Sequence, residues 1–92
     1  MYPVINTELT GRKIKELMDL YHLVPRDIQD YLSLSCVQTV YRWLDGKNIP
    51  SIDHLYALSE LFHVSIDEIV QGNKNEYRHI IKEYSTHYCF YH

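Results

Sequence analysis

The side chains with the most chemistry to offer fall in two stretches. One runs from Ser35 to Pro50 and carries Gln38, Tyr41, Arg42, Lys47 and Asn48. Guanidinium, amide and phenol groups are hydrogen-bonding and stacking groups, suited to recognising a surface rather than to breaking bonds. The other is the chain end, where His87, Cys89 and His92 give the pattern H-x-C-x2-H. Zinc sites pair such ligands with a second pair elsewhere, and neither His22 nor Cys36 supplies the matching spacing. No metal is expected, and no cofactor. A nucleophile–His–Asp set is allowed by composition, yet there is no nucleophile elbow, phosphate loop or metalloprotease motif, so no enzyme is expected. Cys36 follows a predicted helix cap, where a helix N-terminus would lower its thiol pKa; the redox-switch reading stands beside the plainer one of a small residue in a turn.

Charge limits the partners. Nine Lys/Arg against twelve Asp/Glu leave a net charge of −3, which argues against histone-like wrapping of nucleic acid. The distribution is uneven. Residues 35–50 carry Arg42 and Lys47 against Asp45, whereas residues 51–72 carry Asp53, Glu60, Asp67 and Glu68 with no Lys or Arg. An anionic partner would tolerate the first stretch and avoid the second. Ninety-two residues suit one small domain, and 46% hydrophobic with 23% charged residues are ordinary globular values. No apolar run approaches the roughly 18 residues of a membrane span, so no membrane partner is expected. Met1-Tyr2-Pro3-Val4 has no basic or apolar leader pattern, so a cytoplasmic location with reduced thiols is expected.

The elements that would carry these side chains are helices, because only three glycines and three prolines punctuate the chain. Ile14, Leu17, Met18 and Tyr21 recur at i, i+3, i+4, i+7, the spacing of one helical face, with Thr7 or Thr10 as its cap. A second helix reads from Pro25 to Leu32, with proline at its first position, Asp27 in its first turn and Ile28 and Leu32 inward. A third reads from Cys36 to Leu44, opened by the S-x-x-Q box of Ser35 and Gln38 and stopped by Gly46, with Val40, Trp43 and Leu44 inward. Ser51 caps a fourth, with Leu55, Leu58, Leu61 and Phe62 inward, and Ser65 opens a short fifth that Gly72 ends. Connections this short force neighbouring helices together, and the second link has the length of a helix-turn-helix turn. Beyond it, Tyr77, Ile80, Ile81 and Tyr84 repeat the helical spacing. This amphipathic face needs a cover, either the same domain or a second copy.

The stretch "VYRWLDGKNIPSIDHLYALSELFHVSIDEIV", with Ile14-Lys15-Glu16-Leu17 before it, resembles the Cro/CI-type helix-turn-helix family, the XRE family. The likeness spans residues 14–70 and rests on five segments in order with matching turn residues. It implies an all-α fold, a five-helix lambda-repressor-like domain with an additional C-terminal helix or tail. The expected division is an N-terminal arm at 1–9, the helix-turn-helix domain at 10–72 and the aromatic tail at 73–92. The resemblance also implies a repressor-like regulator that binds double-stranded DNA in a sequence-specific manner, often as a homodimer, here through Tyr77, Ile80, Ile81 and Tyr84.

By position in that family the third helix is the one that enters the major groove. Val37, Gln38, Tyr41 and Arg42 then stand at base edges, Ser35 at the cap, and Lys47 and Asn48 at phosphates, with Thr39 also among the DNA-binding residues. Arginine can bond guanine O6 and N7 together, and glutamine adenine N6 and N7. Each has a plainer reading: Arg42 solvated, Gln38 spent on the Ser35 backbone, Tyr41 and Val37 as surface packing, Lys47 free in a turn. Three departures stand out. Val24-Pro25 replaces the family's polar pair at the second helix. Leu44 replaces a glutamate that often pairs with a first-helix arginine. The link through Ser33-Leu34-Ser35-Cys36 is longer than usual and lacks its glycine. Val24-Pro25 and the altered link, with the acidic balance, favour the alternative, a protein-interaction module that kept the fold without strong DNA binding.

Overall fold

Asn6 opens the first helix. The computed structural model describes residues 2–73, and within it α1 (Thr7–Leu20) begins where the extended Asn6 accepts the Leu9 N–H on its side chain at 3.0 Å. Thr7 is therefore the first helical residue, and Thr10, the other expected cap, lies one turn inside. Thr10 is instead the one polar member of the buried set. Its hydroxyl donates to the Asn6 carbonyl at 2.9 Å and accepts the Gln71 N–H at 3.0 Å. Ile14, Leu17 and Met18 are buried as their spacing requires. Tyr21 falls just past the helix end; it keeps its ring on Phe62, 6.1 Å between centroids, and gives its hydroxyl to the Phe62 carbonyl at 2.9 Å.

α2 (Pro25–Leu32) starts as expected on Pro25. Asp27 accepts the Val24 N–H at 2.9 Å on its carboxylate, which satisfies the donor at the cap even though valine has no side-chain oxygen to offer. α3 runs Gln38–Leu44, two residues shorter than its pattern suggests, and the Ser35–Gln38 capping box does not form. The cap position is Val37, already in helical conformation, whose carbonyl takes the Val40 N–H at 3.0 Å. Leu34 explains the delay: it is partly buried against the core, so the chain reaches inward before it turns into α3.

α1, α2, α3 and α4 (Ile52–Phe62) all end in the same paired hydrogen-bond motif. A left-handed residue follows the last turn, its N–H and the next N–H both returning to the helix: His22 and Leu23 to Asp19 and Met18, Ser33 and Leu34 to Asp30 and Gln29, Gly46 and Lys47 to Trp43 and Arg42, His63 and Val64 to Glu60 and Ser59. Only α3 has a glycine there. The link after α2, which lacks its expected glycine, makes the turn with Ser33 at φ 56°.

Ser51 and Ser65 cap α4 and α5 (Ile66–Ile69) with their hydroxyls, as their positions predict. Gly72 does not stop α5, which ends at Ile69; it lies opposite Ile5 in a short antiparallel pairing. Asn6 N–H reaches Gln71 at 2.8 Å and Asn73 holds Val4 at both backbone groups, so residues 4–6 are clasped to 71–73. All five helices feed one core. Ile14, Ile28, Val40, Leu58, Phe62 and Ile69 have no exposed surface, and a residue so buried contributes about 1.5–3 kcal/mol. No charged side chain is buried among the described residues, so the α1–α3 contact contains no buried ion pair. Its closeness comes from Gly11, which faces the Trp43 and Leu44 carbonyls with no room for a Cβ.

Candidate nucleic-acid interface

α3 divides its side chains cleanly. Val40 and Trp43 point into the core, and Leu44 packs at its edge. Gln38, Tyr41 and Arg42 are exposed, and Val37 and Thr39 are half-buried beside them. A 3.6-residue period forces this split once Val40 and Trp43 are inward. Because the Ser35 capping box does not form, Gln38 is the first helical residue and is not tied to the Ser35 backbone. Tyr41 is 47% exposed, so its ring is not spent on packing. Ser35 and Cys36 lie exposed in the approach to the helix. The Cys36 sulfur stands 3.6 Å from the Thr39 hydroxyl, and that contact, with the Thr39 and Gln38 backbone, holds the thiol below its ordinary pKa.

The turn after α3 returns the chain to the same face. Gly46 at φ 76° lies over Glu8 of α1, and Lys47 and Asn48 emerge exposed. Asn48 does not stand alone: its side-chain oxygen accepts the Arg42 Nε–H at 2.6 Å. Together with Thr39, Trp43, Ser51 and His54 these two residues line an open groove of about 370 Å³ between α3 and the start of α4. The Trp43 and His54 rings tilt against each other, 5.6 Å between centroids. Neither His54 nor Ser51 stands out in the sequence, where they read as a helix residue and its cap. The turn after α3 and the Trp43–His54 ring contact bring them beside Arg42.

A second depression, about 520 Å³, lies along the terminal clasp and is lined by residues 4–9, Gly72 and Asn73, among which Glu8 is the only charged residue. Among the described residues no three His, Cys, Asp or Glu side chains come together as metal ligands, and no helix is long and apolar enough to cross a membrane. The tail residues Tyr77, Ile80, Ile81 and Tyr84, and the His87–Cys89–His92 pattern, lie outside the described residues.

Comparison with known families agrees with this arrangement. Residues 34–69 match the family model described as helix-turn-helix. No curated protein and no solved structure gives a match. The matched segment begins at the turn before α3 and ends with α5, so it covers the exposed α3 face, the Gly46 turn and the groove. The match over α3, α4 and α5 makes residues 34–69 similar to helix-turn-helix domains of the Cro/CI type, a DNA-binding kind of domain found in transcription regulators.

Proposed function

We propose that the chain is a sequence-specific, repressor-like transcription regulator that lays α3 in the major groove of duplex DNA. The observation that carries this reading is the outer side of α3, where Gln38, Tyr41 and Arg42 stand exposed and no capping bond consumes Gln38. Arg42 and Gln38 read base edges, Tyr41 and Val37 offer apolar contact to thymine methyls, and Thr39 and Ser35 add hydroxyls at the near strand. Lys47 holds phosphate, and Asn48 lies next to it. A second copy, joined through Tyr77, Ile80, Ile81 and Tyr84, would read the other half of a palindrome. Such a regulator works in the cytoplasm.

Few cations serve this face, so its salt dependence is shallow. With Lys47 as the one cation held on phosphate, the slope is about −1 in log affinity against log salt for each protomer. Fluorescence anisotropy on a duplex pool, repeated across salt concentrations, measures it. A slope several units steeper would require phosphate contacts that this face does not have.

One observation favours the second reading, a protein-interaction module. α4 exposes Ile52 and Tyr56 one turn apart, 67% and 69% accessible, within a segment that has four acids and no bases. Arg42→Glu distinguishes the two: DNA binding collapses, whereas a protein held by the α4 face stays bound.

A further inference from the structure

The Arg42–Asn48 pair carries an inference that rests on the reading of α3 as the groove-entering helix. The two residues are joined twice. Asn48 donates its backbone N–H to the Arg42 carbonyl at 3.4 Å, and Arg42 donates its Nε–H to the Asn48 side-chain oxygen at 2.6 Å. The turn between them is set by Gly46 in the left-handed region, with Lys47 N–H also returning to the Arg42 carbonyl at 3.0 Å. The backbone thus places Asn48, and Asn48 places the guanidinium.

A guanidinium has two ways to make a paired contact: end-on through its two Nη groups, or side-on through Nε and one Nη. The Asn48 bond occupies Nε and closes the second. An exposed arginine also samples many rotamers, and the ones lost on binding weaken it. Asn48 removes part of that loss before DNA arrives. Being neutral, it does so without cancelling the positive charge, as an aspartate would.

We infer that Asn48 is a positioning residue that determines specificity: by holding Arg42 Nε at 2.6 Å it presents the two Nη groups end-on to guanine O6 and N7. Its role is therefore distinct from that of a phosphate clamp. A clamp strengthens binding to every sequence equally, whereas a positioning residue strengthens binding only where Arg42 finds guanine.

The test uses the full chain and two readouts. In the free protein, the Arg42 Nε–H resonance should exchange slowly with water, and Asn48→Ala should make it exchange as fast as an exposed arginine. On a duplex pool with randomised base pairs, Arg42→Ala first identifies the position whose guanine preference depends on that side chain. Asn48→Ala should lower the preference there roughly tenfold, the range of a single paired base contact, and leave the other positions unchanged. Asn48→Asp, which keeps the acceptor oxygen, should restore the preference while weakening binding to all sequences. Thermal melts confirm that the variants fold. Uniform weakening by Asn48→Ala with guanine preference intact overturns the inference in favour of a clamp. Fast exchange of Nε–H in the wild-type chain overturns it as well. If Arg42→Ala changes no base preference, or the wild-type chain binds no duplex, the underlying reading of α3 fails too; the exchange measurement still reports separately whether the pair forms.

Discussion

The terminal clasp and the outer face of α3 use polar groups in opposite ways. At the clasp the side-chain oxygens of Asn6, Thr10 and Asn73 all take partners within the chain. Thr10 serves Asn6 and Gln71, Asn6 caps α1, and Asn73 serves Val4. On α3, Gln38 and Tyr41 point outward, and Arg42 commits one donor to Asn48 and keeps the rest. Both regions are rich in side chains that form hydrogen bonds, so composition does not separate them. What separates them is whether the partner is supplied by the fold. Groups satisfied within the chain hold the structure, and groups left open are available to a ligand.

Four substitutions probe this contrast. Gly11→Val should be the most damaging, about 3 kcal/mol of stability in denaturant unfolding, because its side chain meets the Trp43 carbonyl and pushes α1 off α3. An unchanged midpoint would mean that the helices part at little cost. Arg42→Glu should leave the melting temperature where it is and weaken DNA binding about 100-fold, equivalent to about 2.7 kcal/mol. A large loss of stability instead would place Arg42 with the groups that hold the fold. Thr10→Val keeps the volume but leaves the Gln71 N–H without its acceptor, and should cost about 1–2 kcal/mol in stability while DNA affinity is unchanged. Ser33→Gly should be the smallest and opposite in sign. A left-handed serine becomes a glycine at φ 56°, and relief of the backbone cost outweighs the added chain entropy by about 0.5–1 kcal/mol. A lower melting temperature for this variant would show that Ser33 makes a contact worth more than the strain.

Most of the architecture is legible in the sequence. Pro25, Gly46, Ser51 and Ser65 mark helix ends where the chain has them, because each acts through its own backbone or a neighbour within one turn. The exceptions share a cause. Thr10 looks like a cap but is buried, since its hydroxyl is needed sixty-one residues away at Gln71. Ser35 and Gln38 spell a capping box that the inward pull of Leu34 prevents. Gly72 looks like a helix stop but pairs with Ile5. In each case a distant contact outweighs a local preference worth about 1 kcal/mol.

The candidate face divides in the same way. Periodicity alone assigns Val40 and Trp43 to the core and leaves Gln38, Tyr41 and Arg42 outside, because the turn of a helix is a local property of the backbone. The pairing of Arg42 with Asn48, the groove they share with His54 and Ser51, and the release of Gln38 from its cap belong to the tertiary structure. They depend on where the chain goes after Gly46 and before Val37, and that path is set by the packing of Leu34 and of α1 against α3. A pattern of residue types has no term for such a path, because contacts between separate helices form only when the whole core closes.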